Sequence, residues 1–119
     1  MAEQHPLADS GIEVTPEETA RALAEGRAQV VDVREPYERE AGRIPGTRHI
    51  ELERLASEAP TIDPERPVIF HCRLGARSLL AAQAFRRAGF DAWSMAGGIE
   101  QWHQEGRPIQ PEGGYVADH

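Results

Sequence analysis

The sequence predicts an α/β domain, a doubly wound, mostly parallel five-stranded sheet flanked by helices. Two observations lead there. Short apolar segments rich in β-branched residues alternate with segments of helical spacing, and the links between them are short, which favours crossover connections over hairpins. A chain of 119 residues, 39% hydrophobic and 28% charged, also fits one packed domain.

The elements follow in order. Glu13-Val14 can form a short edge strand. Thr15-Pro16-Glu17-Glu18 announces a helix, with Thr15 as cap, Pro16 in the first helical position and Glu18 reaching back to complete a capping box. Ala20, Leu23 and Ala24 give that helix a modest apolar face, and Gly26 ends it. Gln29-Val30-Val31-Asp32-Val33 is nearly continuous in apolar character, as expected of a strand covered on both faces. A short polar helix, Glu35 to Gly42, precedes the turn Ile44-Pro45-Gly46. Thr47 to Ile50 reads as a third strand and Leu52 to Ala59 as a short helix with Leu52, Leu55 and Ala56 on one side.

After Pro60, Pro64 and Pro67, Val68-Ile69-Phe70 forms the strongest buried strand and runs into His71 and Cys72. The helix beyond carries Leu79, Leu80, Ala82, Ala84, Phe85 and Ala88, with Gly89 at its end. Ala92 to Met95 is a last strand. Gly97-Gly98 turns the chain into a short helix, Ile99 to Glu105, that can bury Ile99 and Trp102. The domain is expected over residues 11–109, between an N-terminal extension (1–10) and a mobile tail (110–119) marked by Pro111, Gly113 and Gly114.

The charged residues narrow the chemistry. All 13 basic residues are arginine, against 20 acidic ones, for a net charge of −7. Without lysine there is no Schiff base and no P-loop. A chain this acidic lacks the basic face that sequence-independent nucleic-acid binding needs, so any anion site must be local. No apolar run is long enough to span a membrane, and residues 1–11 do not resemble a signal peptide, so a cytoplasmic location is expected. His5, His49, His103 and His119 show no ligand spacing, and neither a metal nor another cofactor is expected.

Cys72 is the only cysteine, which excludes an intramolecular disulfide. It falls at the carboxyl end of a predicted strand, where open α/β sheets bind their ligands. The residues after it, Arg73-Leu74-Gly75-Ala76-Arg77-Ser78, lead into a helix start, so their amides can curl around the sulfur as an anion-binding nest. Two arginines add positive charge. Both effects favour thiolate over thiol and make Cys72 a nucleophile.

Four segments also carry a family resemblance. Cys72-Arg73-Leu74-Gly75-Ala76-Arg77-Ser78 resembles the active-site loop of single-domain rhodaneses. Val31-Asp32-Val33-Arg34-Glu35, Gly42-Arg43-Ile44-Pro45-Gly46 and Gly97-Gly98-Ile99-Glu100-Gln101-Trp102 resemble three further signatures in family order. One departure is Arg43, where the family commonly has histidine.

The resemblance implies sulfur transfer. Cys72 would take the outer sulfur of thiosulfate or a persulfide donor, hold it as a persulfide, and pass it to cyanide, a small thiol or a thiol-bearing protein. The amides of residues 73–78 would cradle the persulfide, Arg77 would organise the loop and attract anions, and Arg73 would touch the sulfonate of the donor. Asp32 and Arg34 would form an ion-pair network supporting the loop. His71 is expected to be packed and hydrogen-bonded, and Trp93 and Trp102 to pack in the core and rim.

Two rival readings remain. His71-Cys72-x-x-Gly75-x-Arg77 is similar to the loop of cysteine phosphatases and arsenate reductases but leaves four residues between cysteine and arginine where those loops place five. The shorter loop suits a single sulfur better than a tetrahedral oxyanion. The other rival is a non-catalytic rhodanese-like module that binds a protein; such modules usually lack the cysteine.

Overall fold

The computed structural model describes residues 11–119; the extension expected over residues 1–10 lies outside them. Five strands form one sheet: β1 (Glu13–Val14), β2 (Gln29–Asp32), β3 (Arg48–His49), β4 (Val68–His71) and β5 (Ala92–Met95). Their order is β1-β5-β4-β2-β3, and every pairing is parallel. The helices are α1 (Pro16–Ala24), α2 (Pro36–Ala41), α3 (Leu55–Glu58), α4 (Ala76–Arg87) and α5 (Gly98–Gln104). No helix among the described residues is long and apolar enough to cross a membrane.

Local chemistry explains most boundaries. Glu18 N donates to Thr15 Oγ1 at 3.0 Å and Thr15 N to Glu18 Oε1 at 2.8 Å, closing the expected capping box at α1. Glu35 and Glu38 make a second such box at α2, with Pro36 in its first turn. The helix expected over residues 52–59 is broken into two 3₁₀ turns flanking α3, with Pro60 in the second turn and only Leu55 buried in α3.

Alternation along the strands divides the core in two. Val31, Val68, Phe70 and Cys72 pack with Leu55 of α3 and Ala81, Ala82 and Phe85 of α4. Val30, Ile69, Trp93 and Met95 pack on the other face with Ala22 of α1 and Ile99 and Trp102 of α5. Both tryptophans are therefore core residues. Helix α4 departs from the expected apolar face: Ser78, Ala81, Ala82 and Phe85 are buried, whereas Leu80 is 61% exposed. It also starts two residues before Ser78, because Gly75 adopts φ +118° and caps it, so Arg77 and Ser78 belong to its first turn.

The segment expected to be a mobile tail has a defined course. Arg43 and Gln110 exchange backbone hydrogen bonds of 2.7 Å, Tyr115 N donates to Ala41 O at 3.0 Å, and Val116 packs against the second core cluster. Two glycines permit this approach. A Cβ at Gly42 would lie 2.3 Å from Tyr115 O, and one at Gly114 would lie 2.9 Å from Ala41 O. The attachment is backbone to backbone, which a reading based on apolar content overlooks.

Candidate active site

The parity of β4 sends Cys72 to the α3–α4 side of the sheet, where it is 1% exposed. Its sulfur is surrounded by the turn that follows. Gly75 N donates to Sγ at 3.1 Å and Ser78 N at 3.4 Å, while Ser78 Oγ lies 3.5 Å from it. Ser78 Oγ is in turn 2.7 Å from Ser94 Oγ on β5 and donates to Gly75 O at 3.2 Å. Two amides at a helix start converge on one sulfur, an arrangement whose dipoles favour negative charge there.

The loop is held from behind by α5. Ile99 N donates to Cys72 O at 2.9 Å and Glu100 N to Arg73 O at 3.1 Å. This contact requires Gly98, at φ +61°, because a Cβ there would stand 2.2 Å from Arg73 O and 2.6 Å from Cys72 O. A cavity of about 290 Å³ opens over the loop, lined by Cys72, Arg73, Leu74, Ala76, Arg77 and His119. Leu74 is exposed at its rim.

The two loop arginines differ from the free positive charges that the sequence suggests. Arg77 makes a bidentate pair with Glu38 of α2, at 2.8 and 3.0 Å, and Glu38 is fully buried. The Glu38 hydrogen bonds hold the Arg77 guanidinium above its ordinary pKa; burial raises the Glu38 carboxyl, but Arg77 and the Glu35 amide more than reverse that and leave it below the usual range. Arg73 lies between two carboxylates, with Nε 3.6 Å from Glu100 and Nη2 3.3 Å from Asp118. The positive character directed at the sulfur therefore comes mainly from backbone amides. Glu38, Ser94 and Asp118 are not marked as site residues by the sequence; of these, only Glu38 carries a local signal, at the third helical position opposite the Glu35 cap, whereas Gly98 is legible in the Gly97-Gly98 turn.

Asp32 and Arg34 form a buried ion pair. Arg34 Nε and Nη2 donate to the two Asp32 oxygens at 2.9 and 2.8 Å, Arg34 N donates to Oδ1 at 3.0 Å, and Nη2 also donates to Gly42 O at 2.7 Å. Arg39 adds a 3.3 Å contact to Asp32 and binds Thr47. The network thus ties β2 to the turn that carries the C-terminal segment, rather than touching the Cys72 loop itself. Its link toward the loop is His71, paired in register with Asp32 and 4.0 Å from it.

His71 is packed, as expected, but neither ring nitrogen has a hydrogen-bond partner among the described residues. Burial pushes its pKa below the ordinary value, opposed by Asp32. For Asp32, burial alone would raise the carboxyl, but His71 and Arg34 hold it well below the carboxylate range.

Three of the depressed groups, Asp32, Glu38 and His71, act with the same sign in the acid range. The unfolded chain binds more protons than the native one below their ordinary values, so stability is full at neutral pH and declines as acid is added. The urea midpoint is expected to fall progressively from about pH 6.5 through the carboxylate range and to go on falling below about pH 3. Asp32→Asn should flatten the acid part of that profile; a midpoint that rises on acidification would contradict the arrangement. Among the described residues no group of three or more His, Cys, Asp or Glu is arranged to hold a metal ion.

The parallel sheet, the cysteine loop at the end of β4 and the glycine pair behind it agree with sequence comparison. The rhodanese-like domain model matches residues 15–105, and the chain belongs to this family. A curated relative, thiosulfate sulfurtransferase GlpE of Pseudomonas aeruginosa (strain LESB58), is 38% identical over 97 residues, covering 81% of this chain and 87% of its own length. Among solved structures, a rhodanese-related protein from Thermoplasma volcanium superposes with a TM-score of 0.78 at 24% identity, covering 84% of this chain and 98% of that one. A Rhodopseudomonas palustris protein of unknown function, described as a possible tyrosine phosphatase, is also similar, with a TM-score of 0.69, 27% identity and coverage of 81% and 82%.

Proposed function

We propose that the protein is a sulfurtransferase that carries sulfane sulfur on Cys72. The observation that carries this reading is the convergence of the Gly75 and Ser78 amides on Sγ beneath an open cavity. In the first half-reaction the Cys72 thiolate attacks the outer sulfur of thiosulfate or a persulfide. The donor's S–S bond breaks, and its electron pair leaves with sulfite or a thiolate. Cys72 then carries a persulfide whose outer sulfur bears the negative charge.

In the second half-reaction cyanide or an acceptor thiolate attacks that outer sulfur. The persulfide bond breaks, the product leaves, and the Cys72 thiolate returns, so no external oxidant or reductant is consumed. The turn from Arg73 to Ser78 stabilises the charge in both states through fixed amide dipoles, the form of stabilisation that needs no reorganisation during reaction. Arg77 organises the loop through Glu38, Arg73 meets the sulfonate of an anionic donor, and Asp32 with Arg34 supports the fold beneath. The catalytic unit is the domain expected over residues 11–109, with the segment at 110–119 lying against its cavity through His119, and a cytoplasmic setting suits its unpaired thiol. The sulfurtransferase relative supports this reading.

One observation bears on the phosphatase alternative. Arg77, the arginine such a loop would direct at a phosphate, is engaged at both terminal guanidinium nitrogens, Nη1 and Nη2, by Glu38. That leaves the amide nest as the main anion ligand and favours a small sulfur over a phosphoryl group. The retained cysteine counts against a purely protein-binding module.

Thiosulfate treatment followed by peptide mass spectrometry is the direct test. One added sulfur atom on the peptide containing Cys72, removed by cyanide, is the expected result. An unmodified peptide after treatment with thiosulfate and with a small-molecule persulfide would reject the assignment.

A further inference from the structure

We infer that Asp118 is a specificity-determining residue that masks Arg73 against anionic donors. This deepens the sulfurtransferase reading and, for the identity of the donor, rests on it. Arg73 is the one loop arginine whose charge faces the cavity without a bidentate partner, and Asp118 Oδ1 stands 3.3 Å from its Nη2. The Asp118 carboxylate is 96% exposed, so an arriving anion can displace it.

The carboxylate nevertheless stays near Arg73, because the backbone behind it is fastened at several points. Tyr37 Oη donates to Asp118 O at 3.0 Å, and the next residue, His119, lies 3.2 Å from Glu35 while lining the cavity beside Cys72. Upstream, the segment is held by the Arg43–Gln110 bridge, the Tyr115–Ala41 hydrogen bond and the buried Ala117. The close approach at Gly42 and Gly114 seats this backbone against the end of α2. Together with Glu100, Asp118 gives Arg73 two carboxylate neighbours.

An anionic donor such as thiosulfate must therefore compete with a tethered carboxylate for Arg73, whereas a donor that engages Cys72 without an anionic group does not. The segment shifts the preference of the site away from small anions and toward uncharged sulfur donors. Because the competing charge is exposed, the effect is screened by salt.

The test separates charge masking from sulfur chemistry by using two alkylating probes of Cys72 that differ in charge, iodoacetate and iodoacetamide. At low ionic strength Asp118→Asn is expected to raise the iodoacetate-to-iodoacetamide rate ratio about threefold, the size expected of an exposed ion pair. The gain should shrink at about 1 M salt. The same variant should lower KM for thiosulfate about threefold with kcat unchanged. In an Arg73→Ala background, Asp118→Asn should move the ratio no further.

An unchanged ratio in the single variant would overturn the inference, as would an equal rise in the Arg73→Ala background. If thiosulfate leaves no sulfur on Cys72 while the alkylation ratio responds as expected, the donor assignment fails and the masking of Arg73 stands.

Discussion

Replacing Cys72 with serine is expected to lower cyanolysis by on the order of a thousandfold or more while leaving the fold intact. Sulfur transfer needs an atom that attacks sulfur readily and then holds a second sulfur in a bond weak enough to exchange. A serine hydroxyl is a poor nucleophile toward sulfur near neutral pH, and no other thiol exists in the chain to replace it. Stability should change little. The serine oxygen occupies nearly the same place, and the Gly75 and Ser78 amides that now point at sulfur can donate to it instead. The measurements are initial rates of thiocyanate formation and a urea midpoint for each protein. Activity near that of the parent would place the chemistry elsewhere.

Gly98→Ala is expected to produce the second large loss, and by a different route. Its φ of +61° already disfavours a side chain, at a cost of about 1–2 kcal/mol. The added methyl would also lie 2.2 Å from Arg73 O and 2.4 Å from Arg73 C, backbone atoms that cannot swing aside. The loop must shift, and with it the hydrogen bonds from Ile99 and Glu100 that seat Cys72 and Arg73. A stability loss on the order of 3 kcal/mol or more follows, with reduced activity in whatever fraction folds. Gly75→Ala is the informative contrast: it has positive φ, but nothing nearer than 3.7 Å, so strain operates without collision. Urea denaturation of both variants should rank Gly98→Ala as the more destabilising; the reverse order would contradict the buttressing role.

Much of this site is legible along the chain because its information is local. A β-branched run ending in cysteine, followed by a glycine and a helix, defines a thiol at a strand end whatever the rest of the protein does. Gly75 and Gly98 stand at positions where only the backbone of glycine fits comfortably. The capping box at Thr15 was readable for the same reason, since both of its hydrogen bonds close within four residues. The α4 face is not legible in this way: Leu79, Leu80, Ala84 and Ala88 look apolar in sequence, while the packing surface is set by the helix's rotation over β4 and β5, which buries Ser78, Ala81, Ala82 and Phe85.

What the sequence determined by itself is the α/β class, the five strands and the nomination of Cys72 within its loop, because periodicity, caps and turn glycines act over a few residues. What only the tertiary structure decided is the charge state around that thiol. Arg77 and Arg73 look free in sequence, yet one is bound by Glu38 from α2 and the other is flanked by Glu100 and Asp118. Likewise, a terminal segment poor in apolar residues is drawn against the site by backbone hydrogen bonds and two glycines. Coulomb energy depends on distance in space, and residues far apart in the chain become neighbours only once the sheet has brought their elements together.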